Sequence, residues 1–203
     1  MSKNIYSGGD LIGTGSFGCV FHPALKCEKQ SYVHDDMVSK VFFSDDAKKE
    51  AEEEIKIDKM IKAIKGYEKW SHIWTTNCLP QKYNTLVKGE SGIDECLNEN
   101  GLTAYEFDKN RRMLQGTYAG KTLSEVFSRH FDSKTYSNKK LFIKNFLDMM
   151  KLMKPLFIGL VEMNKKKISH NDIKGDNIMV DDDGCKYIDF GLAAKHSNAK
   201  FFK

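Results

Sequence analysis

Apolar and β-branched residues come in short bursts early in the chain and in long helical stripes later. Asp10-Leu11-Ile12 leads into a glycine-rich turn and Cys19-Val20-Phe21 leads out of it. Residues 37–43, Met-Val-Ser-Lys-Val-Phe-Phe, have the composition of a third strand. Ser44-Asp45-Asp46 suits a helix N-cap region, and the spacing of Ile57, Met60, Ile61 and Ile64 predicts a helix over 47–64. Periodicity then fades. Pro80, Gly89, Gly92 and Gly101 punctuate a polar stretch, so 66–110 is expected to be an insertion or extended loop, with His72-Ile73-Trp74 as a candidate strand within it. Arg112-Met113-Leu114-Gln115 regains strand character, and a short helix is expected from Thr122. The longest amphipathic segment is 139–164. Its stripe of Phe142, Phe146, Met149, Met150, Met153, Phe157, Leu160 and Val161 is assigned to the core, with Pro155 predicted to kink or split the helix.

Composition narrows the class. The chain has 203 residues, 40% hydrophobic and 30% charged, enough for a real core. Its net charge of +4 is carried almost wholly by lysine, the arginines being Arg111, Arg112 and Arg129. Lysine is poor at bidentate base or phosphate recognition, so no nucleic-acid partner is expected. The five cysteines are scattered, and the expectation is reduced thiols. Neither a signal-peptide core nor a membrane-length apolar run is visible, which predicts a soluble protein of the cytoplasm without a membrane partner.

Three constellations carry chemistry. Gly13-Thr14-Gly15-Ser16-Phe17-Gly18-Cys19-Val20 fits G-x-G-x-x-G-x-V, and the segment after Gly18, Cys-Val-Phe-His, is strand-like until Pro23 breaks it. A dinucleotide fingerprint would open into a helix, so a strand–turn–strand flap over phosphates is the better reading. Lys40 stands 22 residues beyond Gly18 on the third strand. Finally, His170, Asp172, Lys174, Asn177 and the triplet Asp189-Phe190-Gly191 supply two carboxylates, an amide and a cation. Phosphoryl transfer needs these groups: a carboxylate at the acceptor hydroxyl, oxygen ligands for Mg²⁺, and positive charge on the phosphates.

These motifs, from about Leu11 to Lys195, resemble the eukaryotic-type serine/threonine protein kinase family. The resemblance implies an α+β, bilobal fold: an antiparallel small-lobe sheet with one helix over 1–116, then the hinge and a partial, mainly helical large lobe over 117–203. It implies ATP and Mg²⁺ as cofactors and a protein substrate with a Ser/Thr acceptor. Asp172 would be the catalytic base, Lys174 the stabiliser of the transferring phosphoryl group, and Asn177 and Asp189 the metal ligands. Lys40 would hold the α- and β-phosphates and pair with a helix glutamate. Glu54, with Ile57 and Ile61 on its face, is chosen over Glu53.

The same resemblance places nucleotide contacts at Ile12, Gly13, Gly15, Ser16, Phe17, Gly18, Val20, Val38, Thr117, Ala119, Met179 and Ile188. Gly116 would sit at the position where a side chain normally closes a rear pocket, or Gln115 would after a one-residue slip. Asn171 replaces the usual arginine, which implies activity independent of loop phosphorylation through that position. The chain ends twelve residues after Gly191, so the family's C-terminal third is expected to be absent through fragmentation or natural truncation. A lysine-, asparagine- and isoleucine-rich style is similar to kinases of large DNA viruses, which would put the protein in host cytoplasm or virion. A pseudokinase or scaffold, and a kinase-like small-molecule phosphotransferase, remain as alternatives.

Overall fold

In the computed structural model, which describes residues 9–15, 18–89 and 91–196, the early bursts become three consecutive strands. These are β1 (Asp10–Gly15), β2 (Gly18–His22) and β3 (Met37–Phe42). Helix α1 (Ala47–Lys62) comes next, then β4 (Thr76–Cys78), the short helices α2 (Tyr83–Lys88), α3 (Ile93–Glu99) and α4 (Ala104–Asn110), and β5 (Arg112–Thr117). The strands pair antiparallel in the order β1-β2-β3-β5-β4. The chain divides into two compact units. One holds the described residues up to Ile55 with Trp74–Tyr118, the other Lys56–Ile73 with the described residues from Ala119 onward, so the division falls inside α1.

Alternation along the strands gives the sheet of the first unit two apolar faces. Val41 and Met113 pack with Phe21, Leu25, Leu86, Ile93 and Phe107 on one side. Phe42 and Leu114 pack against Ala47 and Ala51 of α1 on the other. The stretch 66–110, expected as an insertion or extended loop, therefore contains a strand and three short helices. Sparse anchors (Leu86, Ile93, Leu97, Phe107) hold those helices to the sheet, too few per turn to show as a stripe. Residues 72–74 form no strand; pairing starts at Thr76.

The expectation of reduced thiols is also corrected. Cys19 is bonded to Cys96 and Cys27 to Cys78, across 77 and 51 residues, leaving Cys185 as the free cysteine. Their scatter in sequence gave no sign of pairing because α3 and β4 bring the second member of each pair back to the β2 region.

The second unit contains β6 (Lys121–Thr122), α5 (Leu123–His130), α6 (Ser133–Tyr136), α7 (Lys139–Lys165), β7 (Ile168–Ser169), β8 (Ile178–Asp181), β9 (Gly184–Tyr187) and β10 (Ala194–Lys195). Strands β6-β8-β9 form one antiparallel sheet and β10-β7 another. Thr122 caps α5 through a reciprocal pair with Glu125, satisfying two N-terminal donors. The core gathers Ile61, Trp70, Met149, Leu156, Met163, Ile178, Tyr187 and Phe190.

Helix α7 runs as one helix across Pro155, so of the two expected outcomes, a kink or a split, the split does not occur. Its buried residues are Met149, Leu156, Gly159 and Met163, whereas Phe146, Met150, Phe157, Leu160 and Val161 of the expected core stripe are exposed. The helix is apolar on two faces, so sequence periodicity alone did not select the one that packs. No described helix is long and apolar enough to cross a membrane.

Candidate active site

The first group of site residues lies in the sheet unit. The β1–β2 register runs up to Gly15 opposite Gly18; Ser16 and Phe17, expected to cover phosphates, lie outside the described residues. Gly18 is obligatory: its φ is +147° and a Cβ there would stand 1.9 Å from the Val41 carbonyl oxygen. Gly13 faces Val20, whose Cβ would be 3.9 Å from an added methyl. Ile12 is exposed and Val20 half-buried.

Across from Val20 sits Lys40. Its Nζ lies 2.9 Å from Glu54 Oε2, and the two side chains are 8% and 1% exposed. Glu53 is exposed on the same helix. The ion pair anticipated for one of these two glutamates is thus made by Glu54. Its other oxygen, Oε1, accepts from Trp74 Nε1 at 2.6 Å. Lys40 Nζ also lies 5.2 Å from the Phe42 ring centroid, a cation–π distance. Sequence reasoning missed Trp74, placing it in a strand. The signal available was a tryptophan whose N–H needs a buried acceptor.

Register places Gly116 and Gln115 on opposite faces of the sheet. Lys40 pairs with Leu114, Ser39 with Gln115 and Val38 with Gly116. Leu114 packs on α1, so Gly116 and Val38 share the face of Lys40. Gln115 points the other way, donating to Leu25 O at 2.7 Å and to Gln30 Oε1 at 3.0 Å. Thr117 ends β5 exposed, and the Tyr118 N–H is taken by Asp36 O at 2.7 Å.

The second group lies in the other unit. Asp172 is oriented from two sides: Lys174 Nζ donates to its Oδ2 at 2.9 Å, and Asn177 Nδ2 donates to the same oxygen at 2.7 Å and to the Asp172 carbonyl at 2.9 Å. The Lys174 bond, reinforced by Asn177, holds the Asp172 carboxyl below the usual carboxylate range, against partial desolvation. The bond in turn raises the Lys174 ammonium. Asp172 is therefore an ionised acceptor at neutral pH.

His170 braces this loop from below. It is buried, its Nε2–H donates to Ile188 O at 3.0 Å, and its Nδ1 accepts from the Asp172 N–H at 3.4 Å. Its ring packs 4.8 Å from Phe190. Burial lowers its pKa, keeping it neutral in this role. Asn171 adopts a left-handed backbone, φ +64°, and its Nδ2 donates to Leu192 O at 3.0 Å. Asparagine tolerates that conformation better than arginine.

The donor chemistry fits Mg²⁺. Both Asn177 Nδ2 hydrogens point at Asp172, which leaves the amide oxygen for a hard cation. Asp189, at φ +57°, accepts from the Gly191 N–H at 3.4 Å, and its neighbour Ile188 bonds back to Asn177 O at 3.0 Å. One amide and one carboxylate oxygen are donor types that suit Mg²⁺, a cation that takes few protein ligands and completes its shell with water and phosphate. Met179 is buried on β8, Ile188 is half-buried and Ala119 is buried ahead of β6.

A protein kinase domain is what these two groups and this element order define, and a family model described as the protein kinase domain matches residues 6–203. The chain belongs to that family. It is similar to two proteins of Saccharomyces cerevisiae (strain ATCC 204508 / S288c). These are the CTD kinase subunit alpha, 47% identical over 45 residues (22% of this chain, 8% of that one), and the serine/threonine-protein kinase STE11, 49% identical over 43 residues (21% and 6%). A crystal structure of a kinase domain superposes with a TM-score of 0.62 at 16% identity, covering 98% of this chain and 55% of that one, which establishes the likeness of fold. The chain thus spans about half the length of that structure and less than a tenth of either yeast relative.

Proposed function

We propose that this chain is the ATP- and Mg²⁺-dependent catalytic segment of a serine/threonine protein kinase, with 1–116 as its small lobe and 117–203 as hinge and partial large lobe. The observation that carries the reading is the Asp172 carboxylate, held ionised by Lys174 and Asn177. In the proposed step the acceptor hydroxyl oxygen bonds to the γ-phosphorus, the bond from that phosphorus to the ADP oxygen breaks, and the hydroxyl proton passes to Asp172. Lys174 offsets charge on the moving phosphoryl group. Lys40, fixed by Glu54, pairs the α- and β-phosphates, and the glycine turn supplies backbone N–H groups above them. Ile12, Val20, Val38, Met179 and Ile188 wall the adenine, with Thr117 and Ala119 offering it backbone groups. Mg²⁺, held by Asn177 and Asp189, neutralises phosphate charge when bound. Lysine two residues after the base is the feature that favours serine or threonine acceptors.

The test is transfer of ³²P from ATP to a basic protein by the chain and by Asp172→Asn. Loss of a base of this kind lowers rate by about 10²–10⁴-fold. Equal transfer by the two proteins contradicts the assignment. Asn171 offers no guanidinium to grip a phosphate, so the proposed activity is the same before and after phosphatase treatment, and a drop after treatment refutes that part.

A further inference from the structure

Two bonds join chain segments that sequence keeps far apart: Cys19 to Cys96 and Cys27 to Cys78, with Cα–Cα distances of 6.1 and 5.9 Å. Both fall in the range a disulfide spans without backbone movement. Their settings differ. Beside Cys27–Cys78, backbone hydrogen bonds already hold the segments together: Glu28 N–H to Leu79 O at 2.9 Å and Gln81 N–H to Lys26 O at 3.0 Å. Cys19 instead sits directly after Gly18, and its partner lies on α3. The start of that helix meets β1, where Gly92 N–H donates to Gly9 O at 3.2 Å and a Cβ on Gly92 would come within 2.7 Å of the Leu11 nitrogen. Cys19 and Cys96 are fully buried in the cluster of Phe21, Leu25 and Ile93. Cys185 takes no part: it is buried in the other unit, and burial pushes its thiol up to about 11.

We propose that Cys19–Cys96 and Cys27–Cys78 are a redox modification of the working protein, and that the first clamps β2, directly after Gly18, to α3 and so holds the β1–β2 pair in place. The pairing stands on its own; the clamp's effect on nucleotide rests on the kinase reading. Each bond forms by two exchanges with a low-molecular-weight disulfide such as glutathione disulfide. One cysteine thiolate displaces a reagent thiol to give a mixed disulfide, and the partner thiolate displaces the second. The protein loses two electrons and two protons per bond, and two reagent thiols are released. Exchange starts at the half-exposed Cys27–Cys78 pair, while Cys19–Cys96 opens only with displacement of α3.

The experiment uses the full 203-residue chain. It is equilibrated with glutathione disulfide or with dithiothreitol, its free thiols are alkylated, and its peptides are mapped by mass spectrometry without reduction. The oxidised sample is expected to give Cys19 joined to Cys96 and Cys27 joined to Cys78. Cys19, Cys27, Cys78 and Cys96 all alkylated after oxidation, or another pairing, overturn the proposal.

Binding of a fluorescent ATP analogue with Mg²⁺ is measured on both forms. The reduced chain is expected to bind about three- to ten-fold more weakly, the scale of losing one preorganised contact segment. Cys96→Ala should match the reduced chain under both conditions, and Cys78→Ala should keep the difference. Equal affinity of oxidised and reduced wild type overturns the clamp, and this comparison decides alone if Cys96→Ala does not fold. Binding by neither form refutes the kinase reading and the clamp together, and the peptide map then still decides the pairing.

Discussion

The indole Nε1 of Trp74 donates to Glu54 Oε1 at 2.6 Å. The carboxylate that meets Lys40 is therefore held at both oxygens, one by a cation and one by a neutral donor. Trp74→Phe keeps an aromatic six-membered ring and removes the donor together with the pyrrole ring that carries it. A hydrogen bond to a charged, buried group is worth about 1.5–3 kcal/mol, and a loss of that size is expected in urea unfolding. Glu54→Ala, which takes the carboxylate from beside a buried ammonium, should cost more, about 3–5 kcal/mol. If Trp74→Phe unfolds at the wild-type urea concentration, the hydrogen bond to Glu54 contributes nothing to stability.

The Lys174–Asp172 bond sets a pH dependence. Because Lys174 lowers the Asp172 carboxyl, the proposed base stays ionised through mild acid, and the acid limb of kcat/KM should fall below about pH 4, the ordinary carboxylate value. Lys174→Met removes the largest lowering influence, so the limb should move upward along with a fall in rate. A lower rate with the limb in place would mean that Lys174 acts on the phosphoryl group and not on the base.

His170 and His72 both have pKa values lowered chiefly by burial. In the unfolded chain they titrate at the ordinary value, near pH 6.5. Between the folded and unfolded values the unfolded state binds more protons, so stability rises with pH there. The stabilisation is complete above about pH 6.5 and declines as pH falls toward the depressed folded values. Chemical denaturation at pH 8 and pH 5.5 should show the loss, and His170→Gln should shrink it. An identical loss in His170→Gln would assign the effect elsewhere.

Gly159 packs α7 on Trp70, where an added Cβ would lie 2.8 Å from ring carbon Cε3. Both residues are buried, so the ring has no room to retreat. Gly159→Val should therefore destabilise by about 1–3 kcal/mol through overpacking, despite the better helix propensity of valine. Thermal melting reads it directly, and a raised Tm would mean that the interface relaxes.

Much of this molecule was legible before its structure, and the reasons differ by element. The strands β1 to β3 announced themselves through β-branched content around a glycine turn, and α1 through its stripe and the Ser44 region. The loop of Asp172, Lys174 and Asn177 stood out through residue types at a fixed spacing, and the structure joins these three side chains by hydrogen bonds. What escaped depends on the third dimension. The Trp74–Glu54 bond joins residues 20 apart, and the half-polar helices α2 to α4 are held by one to three anchors each. The left-handed backbone at Asn171 is a second reason for asparagine at that position, one the sequence did not show. On α7 the sequence offered two apolar faces, and only packing against Trp70 and Gly184 selected one.

The face of α7 that was not selected is exposed among the described residues and bears on how the isolated chain should behave in solution. Ile143, Phe146, Leu147, Met150, Phe157, Ile158 and Val161 recur at helical spacing and are 42–54% exposed. Lys154 is the one charge within that stripe. A stripe of this kind is adhesive, and a modest net charge repels too weakly to keep copies apart. The solubility ceiling of the isolated chain is then governed by one helix, and Phe157→Glu with Val161→Lys is the economical way to raise it.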